Sequence, residues 1–336
     1  MNVLKYFSIA LLVSVCAVIQ AQDIHFSQFY ASPLTLNPAM SGFHDGTFRV
    51  AGIYRNQWRS VTTPFQTYGA SFDMRLLQKK LKKDIFGVGG SIVYDKAGDG
   101  DLSNMGIMAS ASYHKALGKG AKHFIGIGLQ GGFVQRNLNT SNLAFPSQYS
   151  NGTFDLTQPN GEQNLNDNTG YFDMNAGLLW SSKIGSRLGV FAGGTIFHLI
   201  PPTESFLDDD NKLSMRYLAH TGLNIKVTEH IYITPNFLFM HQNAAREINF
   251  GTALEYHFKD ANNTIVSIGG WYRIQDAGII SASVEHRGIR MGVAYDVNTS
   301  PLEPASNNRG AFEIALIYIG NIKKVNAPIL VPCPRL

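Results

Sequence analysis

Charged residues that could do chemistry concentrate in the last third of the chain, where Glu255, Arg273, Glu285, Arg290, Asp296 and Glu313 each stand on the polar side of a stretch whose alternate residues are apolar. Arg49 and Arg55 repeat the arrangement near the front. Carboxylates and guanidinium groups crowded inside a narrow wall either neutralise one another or line a path for a charged ligand. Nothing in their spacing specifies a ligand, so neutralisation is the favoured reading. If the chain closes on itself, its last segment lies beside its first, and Glu313 is expected within ion-pair reach of Arg49 or Arg55.

Other chemistry is harder to assemble. Ser281, Ser283 and His286 share one extended stretch, but successive residues of a strand face opposite sides, so the histidine does not share a face with the serines. His198, His220 and His257 are isolated, and Asp208 to Asp210 lacks the ligand spacing of a calcium loop, so no metal site is expected. No helical zinc motif, cysteine cluster or phosphate loop occurs, and no cofactor is implied. The only basic run is Lys79 to Lys83 in a chain of net charge +4, which gives a nucleic-acid partner no electrostatic footprint. The sequence reads as a non-enzyme.

The elements that carry these side chains are strands. Ile289, Met291, Val293, Tyr295 and Val297 alternate with small or charged residues, and Phe312, Ile314, Leu316 and Tyr318 repeat the period of two. The same pattern opens at Thr47 to Trp58 and returns along the chain, giving about 14 strands of roughly ten residues. That length suits a tilted bilayer crossing better than a soluble sheet. Aromatics recur near strand ends, at Tyr54, Trp58, Tyr94, Tyr113, Tyr171, Trp180, Tyr232, Tyr256, Trp271, Tyr272, Tyr295 and Tyr318, as interfacial girdles require. The longest connections, 139–170, 200–213 and 298–309, all join an odd strand to an even one. That parity puts the long loops outside the cell and both termini in the periplasm. The expected fold is therefore all-β: an antiparallel transmembrane β-barrel over residues 47–319.

Composition agrees, with only 15% charged residues against about 25% in soluble domains. Lys5, the apolar run Tyr6 to Ile19 and Ala21 before Gln22 make residues 1–21 a cleaved signal peptide, hence export. Val15 before Cys16 departs from a lipid-modification site, so one thiol, Cys333, is expected in the mature chain. Residues 22–46, with Pro33 and Pro38, have no clean period and form an N-terminal extension placed to enter or cap the lumen; residues 320–336 form a periplasmic tail.

Both ends resemble a family. The stretches QDIHFSQFY (Gln22 to Tyr30, with Phe26, Ser27 and Gln28), LNPAMSG (Leu36 to Gly42, with Asn37 and Pro38) and YRNQW (Tyr54, Arg55, Asn56, Gln57 and Trp58) are similar to the start of PorP/SprF outer-membrane proteins of Bacteroidota. The stretch Tyr295 to Tyr318, with Asp296, Asn298, Arg309, Gly310 and Glu313, and the terminus Cys333, Pro334 and Arg335 resemble its end, except that Leu336 stands where an aromatic is usual. The resemblance implies a non-enzymatic barrel of the type IX secretion and gliding machinery. It implies partners among secretion components of the periplasm or outer membrane, outer-membrane lipid around the barrel and, for some members, a large surface adhesin engaged through its C-terminal domain. The tail residues Cys333, Pro334 and Arg335 are a candidate docking segment. The alternative is a passive porin or solute channel.

Overall fold

The computed structural model describes residues 23–118, 120–162, 165–207, 210–259 and 263–322. The expected signal peptide, Cys16, Asp208 and the tail residues Cys333, Pro334 and Arg335 lie outside the described residues.

Alternation along the sequence becomes a closed barrel of fourteen antiparallel strands. These are β1 (Phe48–Gln57), β2 (Phe65–Leu76), β3 (Ile85–Ala97), β4 (Leu102–Leu117) and β5 (His123–Asn137). After the longest connection come β6 (Asn168–Ile184), β7 (Leu188–Phe197), β8 (Arg216–Lys226), β9 (Ile231–Gln242) and β10 (Ala245–His257). The circuit ends with β11 (Ile265–Arg273), β12 (Ala277–His286), β13 (Ile289–Asn298) and β14 (Arg309–Gly320). Each strand pairs with its neighbours in sequence, and β14 closes on β1 from Phe48 opposite Gly320 to Gln57 opposite Ala311. Closure leaves no sheet edge unpaired, which lipid would not tolerate. A small hairpin, Tyr149–Ser150 against Thr153–Phe154, is confined to the loop between β5 and β6.

The outer face is apolar in every quarter, with Ile127 on β5, Leu178 on β6, Ile268 on β11 and Ile280 on β12 among its most exposed residues. Inward neighbours such as Gln130, Asn175 and Ser281 are buried. Three of the aromatics expected in the girdles depart from this plan: Tyr232 faces inward and stacks on His257, and Tyr171 and Trp271 are buried and face inward. Tyr171 and Trp271 each sit one residue out of phase with an outward aromatic, Phe172 or Tyr272, and one step along a strand reverses the face.

The longest connections, 138–167, 198–215 and 299–308, all lie at one end of the barrel, while the opposite end carries short turns such as 185–187 and 287–288. The ends of the strand circuit, Phe48 and Gly320, share the short-turn end. The first described residue, Asp23, does not, which departs from the end of the barrel that loop parity implies for the start of the mature chain. Asp23 is held by His198, which follows β7, and by Arg216 and Gln242 at the long-loop ends of β8 and β9. Residues 23–46 then run down the inside of the barrel to Thr47, whose backbone N–H meets the Gly320 carbonyl at the other end. Phe26, Phe29, Ala31, Leu34, Leu36, Ala39, Met40 and Phe43 of this segment are all buried. The core of the molecule is thus its own N-terminal segment, packed as a plug in one-turn helices at Phe29–Ala31, Pro33–Leu36 and Pro38–Met40. Proline at or near the start of each of the last two turns suits a position whose N–H has no helical acceptor.

Candidate functional site

The inward side chains of the wall converge on the plug at three levels. At the long-loop level, the Glu313 carboxylate accepts the backbone N–H groups of Ser27 at 2.6 Å and Gln28 at 2.8 Å, and Arg55 Nη1 at 2.6 Å. Asp296 Oδ2 accepts from Arg273 Nη2 at 2.7 Å, from Ser27 Oγ at 2.7 Å and from both Arg55 Nη atoms at 3.2 Å. Arg273 also pairs with Asp276. Arg55 and Arg273 are thus offset by Asp296, Glu313 and Asp276 in a place where an unpaired charge would cost several kcal/mol. The ion pair expected across the seam forms with Arg55 and not with Arg49.

A bulge aims this clamp. Between Tyr295 and Val297 the register of β13 against β14 shifts, so that Gly310 and Ala311 stand against Asp296 alone. An added Cβ at Gly310 would approach the Asp296 carbonyl oxygen at 2.7 Å, so a larger residue would push the two strands apart there.

The middle level rests on Asn37. Its amide donates to the Leu178 carbonyl at 2.9 Å, lies 3.1 Å from His220 Nε2, and accepts from the Ala39 N–H at 2.9 Å to cap the next turn. The wall recedes to admit it: a Cβ at Gly128 would stand 2.2 Å from the Ala39 nitrogen, and one at Gly177 only 2.0 Å from Asn37 Oδ1. At the short-turn level, Asp73 takes Arg49 through Nε and Nη2 at 2.9 Å each and the Gly42 N–H at 2.7 Å, while Arg75 Nε reaches the Gly42 carbonyl at 2.9 Å. Gly42 has φ of +65°, and Gly87 presses against it so closely that a Cβ on Gly87 would lie 2.0 Å from the Ser41 carbonyl oxygen.

A fourth contact pins the start of the plug. His198 bridges Asp173 at 3.0 Å and Asp23 at 2.7 Å, and Arg216 stands 3.4 Å from Asp23. Burial opposes charge on both members, yet Arg216 and His198 hold the Asp23 carboxyl well below its usual range. Burial likewise opposes the His198 cation, but the two aspartates push its pKa up to about 9.

These interactions bind a protein segment to a wall and pair the wall's own charges with one another; among the described residues none forms a group able to hold a metal ion. The family model described as type IX secretion system membrane protein PorP/SprF matches residues 18–318. The chain belongs to that family. As a PorP/SprF protein with a closed barrel and an apolar outer face, it is a membrane barrel of the type IX secretion system, and family and fold together support an outer-membrane location. Among solved structures it is similar to the CymD monoaromatic hydrocarbon channel at 11% identity, with 85% of this chain and 91% of that one covered and a TM-score of 0.48. It is also similar to the Ralstonia pickettii toluene transporter TbuX at 10% identity, 85% and 92% coverage and a TM-score of 0.47. The P. putida toluene transporter TodX gives 9%, 86% and 94%, and 0.46. No curated protein matches.

The motif residues of this PorP/SprF chain divide by location. Phe26, Ser27, Gln28, Asn37 and Pro38 belong to the plug, and Arg55, Asp296 and Glu313 to the wall that grips it. Phe26 packs on Ala51, Ile53, Ala315 and Ile317 on both sides of the seam. Asn298 is buried beneath the last long loop, where its amide donates to Ser306 Oγ at 2.8 Å. Tyr54 and Asn56 meet at 2.9 Å away from the plug, and Gln57 accepts from Arg55 Nε at 3.3 Å. Trp58 turns the chain out of β1 at φ of +57°, donates its backbone N–H to the Gly310 carbonyl and stacks edge-on with Phe65. Arg309 is exposed.

Asp73, Arg75, Asp23 and the role of His198 were missed from sequence. Asp73 carried a usable signal, since it lies on the polar face of the second strand at the register position of Arg49. Asp23 and His198 stand outside any period-two stretch and offered none.

Proposed function

We propose that this protein is a non-enzymatic barrel of the type IX secretion and gliding machinery that supports export or anchoring of a surface protein through protein-protein contacts. The observation that carries the reading is the occupied lumen. Residues 23–46 fill the space a solute would need, and their backbone is hydrogen-bonded at both ends of the barrel to wall residues that are themselves in buried ion pairs. A wall whose inner charges are matched by the plug and by one another, as Arg290 is by Glu255 and Glu285, leaves the loops, the rims and the tail as working surfaces. The long loops face the cell exterior in this reading, and residues 320–336, with Cys333, Pro334 and Arg335, are a periplasmic docking segment exported behind a cleaved leader of residues 1–21.

The test is a mild-detergent pull-down of the tagged protein from its native outer membrane, with co-purifying proteins identified by mass spectrometry. Secretion components or a large surface adhesin are expected with the full chain, and their loss on deletion of residues 326–336 is expected if the tail docks. Recovery of the barrel alone, together with stable ion conductance in planar bilayers, would transfer the assignment to a passive channel.

A further inference from the structure

Below the long-loop mouth, between the plug and the wall formed by β3 to β7, lies a cavity of about 110 Å³. A dry cavity of roughly 150 Å³ holds benzene, so a molecule of about four or five heavy atoms fits here. One side is apolar, built from Val93, Met108 and Val134. The other presents Asp95, Ser91 and Tyr171.

The carboxylates in this lining are not equivalent. Asp23 and Asp173 are matched by His198 and Arg216, as described above. Asp95 accepts a 2.5 Å hydrogen bond from Thr67 Oγ1, and no cation lies within ion-pair distance of it among the described residues. Ser91 and Tyr171, which are 5% and 9% exposed, bring two hydroxyls to the same lining.

We propose that this cavity binds a small alkylammonium ion, with Asp95 as the counter-charge, the hydroxyls of Ser91 and Tyr171 as hydrogen-bond partners, and Val93, Met108 and Val134 around the alkyl body. A neutral alcohol would satisfy the hydroxyls and the apolar side but leave the charge of Asp95 unmatched. A bare metal ion would have no use for the apolar side. The site stands independently of the secretion reading, because it rests on the lining alone.

The experiment is isothermal titration of the full-length protein in nanodiscs at low salt, using n-butylammonium, 1-butanol and n-butyrate as probes. Saturable binding of n-butylammonium is expected, at least about tenfold tighter than 1-butanol, with no binding of butyrate; that ratio corresponds to the loss of one charge-assisted hydrogen bond. Asp95→Asn, checked for folding by its heat-shifted gel mobility, is expected to weaken n-butylammonium by about the same factor and to leave 1-butanol unchanged. Equal binding of amine and alcohol to the unmodified protein overturns the proposal without any variant. So does the absence of saturable amine binding, or unchanged amine affinity in a folded Asp95→Asn.

Discussion

Replacing Glu313 by Gln removes one charge from the upper clamp while keeping shape and a single carbonyl acceptor. In the native barrel its carboxylate serves the Ser27 and Gln28 N–H groups and Arg55 at 2.6 to 2.8 Å. Stripping one partner from a buried ion pair costs about 3–5 kcal/mol when the other is left alone. Arg55 keeps Asp296 at 3.2 Å, and Gln still accepts one N–H, so the lower end applies, about 3 kcal/mol. At about 1.4 kcal/mol per factor of ten, the ratio of released to docked upper plug rises roughly a hundredfold. The assay is planar-bilayer conductance at fixed salt: long silent periods are expected for the native barrel and openings about a hundred times more frequent for Glu313→Gln. A double-mutant cycle with Arg55→Met, read by urea unfolding in lipid, is expected to give a coupling of about 1–3 kcal/mol. Openings as rare in Glu313→Gln as in the native barrel, with no coupling to Arg55, would refute the idea that this pair holds the plug.

Further consequences can be checked separately. Gly87→Ala drives a Cβ to 2.0 Å from the Ser41 carbonyl oxygen, so the short-turn end of the plug must move; loss of the heat-stable gel form is expected, and a normal melting profile would contradict the close packing. The contact of Asp23 with His198 has a defined pH window. The lowered Asp23 pKa contributes stability above its usual value near 3.8 that is lost as pH falls, and the raised His198 pKa contributes stability below 6.5 that is lost as pH rises through about 9. Protease accessibility of residues 23–30 is therefore expected to be least near pH 5–6 and to grow toward pH 10, and His198→Gln should flatten the alkaline limb. Leu178→Arg places a guanidinium on the outer face near the middle of β6, with an expected cost of about 2–4 kcal/mol in a bilayer unfolding titration; an unchanged midpoint would mean that this face does not meet lipid.

The strands were legible because their side chains alternate between two solvents of opposite preference, and the pair of Arg55 with Glu313 was legible because closure brings the first and last strands together whatever the other registers are. Asp73 was visible only as one polar residue among others. Its match with Arg49 depends on the register across the turn 58–64, which alternation does not set. Trp271 and Tyr171 show parity outranking composition: both look like girdle residues by type, yet each is out of step with the outward aromatic beside it. Trp271 instead lies 5.6 Å, ring to ring, from Tyr30 of the plug. The direction of the plug left no trace in the sequence, because an aperiodic segment is positioned by contacts hundreds of residues away, as Ser27 is by Glu313.

That direction bears on how the molecule is made. The plug leads straight into β1, and β1 completes the wall only by pairing with β14, the last strand to leave the ribosome. Sealing and stoppering are therefore one event. Threading an extended tail through a finished cylinder is unnecessary if the seam shuts around a segment already lying in the trough. A barrel closed in this order has its lumen already filled when the seam shuts.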